Sequence, residues 1–152
     1  KLNMRNKGLL PELHPEDIAL LEALDKLDYL KSSQHYTPQQ VCEVVKLIFP
    51  TKNKNPNRYH TSYGLKHLLE RVTSHNWHGN AHKYCSEQAL VEGMELAGFT
   101  KKLIDFSRIN SYFNFSTKDY KHVDKLMRRV TAEAQRKWLN KLDDHPADDS
   151  DE

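Results

Sequence analysis

Five runs of apolar residues recurring every three or four positions, each closed by Pro, Gly or a polar stretch, constrain this chain more than any other feature. That spacing lines one face of an α-helix, whereas one face of a strand repeats every second residue. Ile18, Leu21, Leu24 and Leu27, with Leu20 and Leu30 beside them, predict a first helix reaching Lys31, after a lead-in bracketed by Pro11 and Pro15. Thr37-Pro38-Gln39-Gln40 reads as an N-cap, a Pro at the first helical position and a Gln able to close a capping box, so a second helix should span Pro38 to Phe49 and stop at Pro50. Leu65, Leu68, Leu69 and Val72 predict a third helix over Ser62 to Thr73. Ser86 caps a fourth that runs to Ala97, where Gly98 can adopt a left-handed cap and Phe99 fold back. A long fifth helix over Thr117 to Lys141 carries Tyr120, Val123, Met127, Val130, Ala134 and Trp138 beneath a face of Lys and Arg.

Tyr112, Phe113 and Phe115 form a short aromatic run more suited to a strand, one arm of a small hairpin. The expected fold is therefore mainly α, about five helices with a small β element, and the order of helix three, helix four and aromatic strand suggests a helix-turn-helix or winged-helix-like centre. The chain's 152 residues suit a single helical domain over 1–141, followed by a disordered acidic tail at 142–152. No apolar run approaches the roughly 20 residues that span a bilayer. The basic Lys1 to Lys7 stretch leads into Gly8-Leu9-Leu10-Pro11 instead of a secretory signal core, and the first residue is Lys, as in a processed or excised chain. An intracellular location, cytoplasmic or nucleoid-associated, is the expectation, with no membrane contact.

The net charge of +2 conceals a steep asymmetry. Residues 1–50 carry 6 Lys/Arg against 7 Asp/Glu, residues 51–141 carry 17 against 8, and residues 142–152 carry none against 6, for nets of −1, +9 and −6. A strongly basic segment beside an acidic tail is the pattern of a polyanion-binding surface, and DNA or RNA is the leading partner class. Lys52, Lys54, Arg58, Tyr59, Tyr63 and Lys66, and further on Tyr112, Tyr120, Lys121, Lys125, Arg128 and Arg129, interleave cations with aromatic rings. Lys and Arg neutralise phosphates and release counterions, while exposed rings stack on unpaired bases. The candidate nucleic-acid contacts are thus Lys52, Lys54, Arg58, Tyr63, Lys66, Lys121, Lys125, Arg128 and Arg129. The plainer alternative is that these cations solvate helix faces and the aromatics belong to the core.

Two other constellations carry metal or acid–base side chains. His75, His78, His82 and Cys85 offer zinc-competent donors, but without a second pair at zinc-finger distance, so the stretch from Ser74 to Tyr84 reads first as a polar loop and zinc as its minor alternative. No other cofactor is expected. His35-Tyr36-Thr37 and His60-Thr61-Ser62 superficially resemble paired His-x-Thr/Ser elements of two-histidine phosphoesterases, in which one imidazole is base and the other acid. Thr37 is already explained as a cap, and no phosphate loop, nucleophile elbow or paired-acid motif accompanies them, so the reading leans away from an enzyme, with a phosphoesterase or nuclease as an alternative. Cys42 and Cys85, 43 positions apart, fit buried thiols better than a disulfide framework.

Thr61-Ser-Tyr-Gly-Leu-Lys-His67, Tyr84-Cys-Ser86, Ala97-Gly-Phe99 and Tyr112-Phe-Asn-Phe-Ser116, in that order, resemble a pattern found in short proteins of phages, plasmids and integrative elements. The resemblance spans residues 61–116, is interrupted by the His-rich stretch, and rests on packing and capping residues. It implies a mobile-element origin and a small non-catalytic protein that acts on nucleic acid. A host protein or ribonucleoprotein complex of defence or replication, modulated through the same basic face, is the alternative partner. No heptad pattern fixes an oligomeric state.

Overall fold

The computed structural model describes residues 13–72, 83–104, 106 and 108–144. Within them the chain is mainly helical with one two-stranded antiparallel sheet, as the apolar periodicity predicts. The elements are α1 (Pro15–Asp25), a 3₁₀ turn (Asp28–Lys31), α2 (Pro38–Ile48), α3 (Ser62–Val72), α4 (Glu87–Leu96), β1 (Lys101–Leu103), β2 (Ser111–Phe113) and α5 (Thr117–Asp144). Among the described residues no helix is long and apolar enough to cross a membrane. Helix α5 runs to Asp144, three residues into the expected tail at 142–152; the rest of that tail and the zinc candidates His75, His78 and His82 lie outside the described residues, as does the side chain of Trp138.

The first helix differs from its expectation. It stops near Lys26 and resumes as the 3₁₀ turn, with Pro15 at its first turn instead of in the lead-in. Leu21, Leu24, Leu27 and Leu30 are spaced strictly by three, and in a straight α-helix each such step rotates the side chain by about 60°. After three steps Leu30 would face away from Leu21. Breaking the helix lets both become fully buried.

The other helices follow their caps. Thr37 Oγ1 accepts from Gln40 N–H and Gln40 Oε1 accepts from Thr37 N–H, each at 3.2 Å, so the expected capping box opens α2. Ser86 Oγ accepts from Ala89 N–H at 3.0 Å to open α4. That helix ends at Gly98, whose φ of 92° is the left-handed cap, and Phe99 N–H returns to Met94 O at 3.0 Å. The broadest helix packing is α2 on α4, made possible by Gly93, whose backbone lies directly against Val41 and Pro38. Phe49, Phe99, Phe113 and Phe115 close the core below these helices, with ring centroids 6.4 Å apart for Phe49 and Phe99 and 5.1 Å for Phe49 and Phe115.

The partner of the aromatic strand is β1, in the register Lys101↔Phe113, Lys102↔Tyr112 and Leu103↔Ser111. On its other side Tyr112 bridges Thr61, just before α3. The Ser62 hydroxyl is buried between three elements, accepting from Ser111 N–H at 2.9 Å and lying 2.6 Å from Glu87 Oε2 and 3.0 Å from Asn110 Oδ1. Helix, helix and hairpin thus follow in the expected order, the hairpin anchored at the head of α3.

Candidate nucleic-acid interface

Residues 51–60 form no helix, as their Lys, Asn and Pro content dictates, yet the loop is fixed by hydrogen bonds to residues about 60 positions further on. Asn53 N–H donates to Asn114 O and Asn114 Nδ2 donates back to Asn53 O, both at 2.7 Å. Asn57 is the central fastener. Its N–H donates to Phe113 O at 2.8 Å, its carboxamide donates to Thr117 Oγ1 at 2.7 Å and Phe115 O at 3.2 Å, and its Oδ1 accepts from Tyr59 N–H at 2.9 Å. Thr51 N–H adds a bond to Asp119 Oδ2 at 3.0 Å. The N–H and both polar groups of the Asn57 side chain therefore have partners, which is what permits an Asn to lie 6% exposed.

Ordering the loop orders what it displays. Residues 53–59, among them Lys54, Arg58 and Tyr59, line an open depression of about 550 Å³ together with Thr117 at the start of α5. Arg58 lies over the ring of Tyr112, its guanidinium carbon 5.4 Å from the centroid. Tyr59 is 84% exposed, an aromatic ring left in water beside two cations. His60 stacks on Tyr120 at 3.7 Å and 14°. Burial lowers its imidazole pKa; Asp124 opposes that shift, and the nearby Lys121 ammonium reinforces it.

From Tyr120 the surface continues along α5. At 3.6 residues per turn, Lys118, Lys121, Lys125, Arg128 and Arg129 occupy an arc of roughly 100°, opposite the buried arc of Val123, Leu126, Met127 and Val130. Lys118, Lys121, Lys125 and Arg128 are exposed and Arg129 is half-buried. The two edges of the arc are tied down. Asp124 accepts from Arg71 Nη2 of α3 at 2.6 Å and from Arg128 Nε at 3.1 Å. On the far edge His122 Nε2 lies 2.5 Å from Asp17 Oδ1 of α1.

The structure thus brings Lys54, Arg58, Lys121, Lys125 and Arg128 onto exposed positions of the loop and α5, and it moves two other candidates elsewhere. Lys66 is only 9% exposed; its ammonium lies 4.0 Å from Glu70 and over the rings of Tyr63 and Tyr84, at 5.3 and 5.1 Å. Its ammonium is thus enclosed between α3 and Tyr84 and is not presented with the cations of the loop and α5. Lys52 pairs its backbone with Phe115 and turns its ammonium onto the Phe99 ring at 4.6 Å, toward the end of α4. Tyr63 is 55% exposed on α3, edge-on to His67. Phe113 and Phe115 are fully buried and belong to the core.

Cys85 is buried, donates its N–H to Glu70 Oε2 at 3.0 Å, and has its thiol pKa pushed up to about 12, chiefly by burial. It is a thiol at neutral pH. Among the described residues no group of three or more His, Cys, Asp or Glu side chains is arranged to hold a metal. His35 packs on Tyr84 at 4.8 Å while His60 packs on Tyr120, so each imidazole of the supposed His pair is engaged by a different ring. Sequence reasoning missed the fasteners Asn53, Asn57 and Asn114, and also Lys102, which the register places beside Tyr112. No known protein family, curated protein or solved structure matches the chain.

Proposed function

We propose that this chain is a non-catalytic nucleic-acid-binding protein, carried within the cell by a phage or other mobile element as the sequence resemblance implies. Phosphates are neutralised by Lys54 and Arg58 on the loop and by Lys121, Lys125 and Arg128 on α5. The observation that carries the reading is the fixed loop, in which Asn57 ties the backbone to Thr117 at the start of α5 while the neighbouring Arg58 lies over Tyr112 and Tyr59 is exposed. Here Arg58 is held by its contact with Tyr112 and Arg128 by Asp124, which lowers the entropy those two side chains lose on binding a polyanion.

The test is fluorescence anisotropy with labelled single-stranded DNA, duplex DNA and RNA at two salt concentrations, comparing wild type with a Lys54→Glu/Arg58→Glu variant. Micromolar or tighter affinity that weakens with salt and with charge reversal supports the reading. Absence of binding to all three polymers at low salt refutes it.

A further inference from the structure

The β1–β2 hairpin contains an aromatic residue that the loop and α5 leave unexplained. Phe106, in the connection between the strands, has a relative exposure of 109% and a φ of 66°, the left-handed region that side chains other than Gly rarely adopt. Among the described residues its ring touches no other ring. Burial therefore does not account for a phenylalanine here, and backbone preference argues against one.

Asp105 apart, the charged residues of the hairpin are basic, and Lys101 pairs with Glu95 Oε2 at 3.6 Å. Lys101, Lys102 and Arg108 are exposed on the same hairpin. Lys102 pairs with Tyr112, so the two side chains share a face of the sheet, and Arg58 lies over that same Tyr112 ring. The hairpin is held by Ile104 N–H to Asn110 O at 3.0 Å, and Asn110 Oδ1 in turn accepts from Tyr63 N–H at 3.3 Å at the head of α3. The connection that carries Phe106 is thereby tethered to the element that begins one residue after Thr61, beside the loop bearing Arg58 and Tyr59.

We infer that Phe106 is a base-stacking platform: the hairpin presents its ring to an unpaired base of a single-stranded nucleic acid whose phosphates pass Lys102 and Arg58. The inference rests on the nucleic-acid reading above and narrows it to a substrate with unpaired bases. In a duplex the base faces are already stacked on one another, whereas a single strand offers them to Phe106 and Tyr59. Lys102 and Arg108 lie on either side of Phe106 in the sequence, and among the described residues of the hairpin Leu103 is the one other large apolar side chain that is exposed; a protein-docking patch would gather several, and a membrane-inserting face needs a continuous apolar surface.

The experiment measures affinity for a labelled thymidine oligonucleotide of about 15 residues, for a duplex of the same length, and for anionic vesicles. Proteins compared are wild type, Phe106→Ala, Phe106→Trp and Arg58→Glu, with melting temperatures taken alongside. Expected are a roughly 5- to 100-fold weaker single-strand affinity for Phe106→Ala, recovery in Phe106→Trp, and a change in duplex affinity below about twofold. The melting temperature of Phe106→Ala stays at or above that of wild type, because the ring is fully exposed. Wild-type affinity in Phe106→Ala, with Arg58→Glu still weakened, overturns the platform and leaves the nucleic-acid reading standing. Vesicle binding that is lost in Phe106→Ala, with no oligonucleotide binding by wild type, overturns both.

Discussion

Arg71 of α3 and Asp124 of α5 are joined by a charge-assisted hydrogen bond of 2.6 Å between residues 53 positions apart, and the second oxygen of the same carboxylate receives Arg128. One carboxylate thus fastens two helices and offsets a cation on the exposed face. The two effects separate in an Asp124→Asn variant. Loss of the ion pair should lower unfolding stability by about 1 kcal/mol, while removal of a negative charge from the basic arc should tighten nucleic-acid binding by roughly two- to fivefold at low salt. Urea denaturation and anisotropy on the same preparation check the opposite signs.

The enclosure of Lys66 predicts a contrast between cations. For each phosphate contact removed, the dependence of log affinity on log salt should become shallower by about 1. A Lys121→Ala/Lys125→Ala variant should therefore flatten that slope by about 2, whereas Lys66→Met should leave it unchanged and act only on melting temperature. A slope that fell for Lys66→Met would show that the lysine leaves its place between Tyr63 and Tyr84 when ligand binds.

Three glycines should respond to alanine in three different ways. At Gly93 an added Cβ would lie 2.4 Å from Val41 Cβ and 2.8 Å from Pro38 O, so α2 and α4 must separate, and a loss of about 3 kcal/mol is expected. At Gly98, with φ of 92°, the backbone conformation alone should cost about 1 kcal/mol. At Gly64 nothing lies within 4 Å and the residue is helical, so alanine should stabilise by about 0.5 kcal/mol. Denaturant midpoints of the three variants give the comparison.

His60 makes stability depend on pH in a known direction. Burial holds its folded-state pKa below the ordinary 6.5, so the unfolded chain binds more protons in the interval between the two values. Its contribution is present in full above pH 6.5 and is lost as pH falls through the lower folded value. His60→Phe keeps a ring to stack on Tyr120 but cannot titrate. Between about pH 7.5 and 5 its urea midpoint should fall less than that of wild type, and equal falls would exclude His60 as a source of the dependence.

The parts of the fold legible in the sequence are those whose signals are local. Thr37 with Gln40, Ser86 and Gly98 each act within a few residues, and the helices they bound lie close to their expected limits. Strand β1 was illegible because Lys101, Lys102 and Leu103 are all exposed and show no alternation; only pairing with β2 makes them a strand. The break in the first helix is written in the spacing by threes, but its effect is a slow rotation easily taken for a stripe. At the site, Arg58, Tyr59 and the α5 cations were legible as a basic and aromatic pattern. Lys66 was not, since enclosure by Tyr84 depends on how the chain folds back 18 residues later. Asn57 resembled any loop asparagine, its partners being some 60 positions away.

The bonds of Asn53 and Asn57 to Asn114, Phe115 and Thr117 also bear on the order of events in folding. Closing a chain loop of about 60 residues is entropically unfavourable before the core exists, so contacts of such long separation form late. The α-helices can nucleate from their own caps, but the display of Arg58 and Tyr59 cannot precede the docking of β2 and the head of α5. A nascent chain that has not yet reached Thr117 has its cations without their scaffold. The proposed binding face is thus a property of the finished molecule, withheld from partially folded or proteolysed forms.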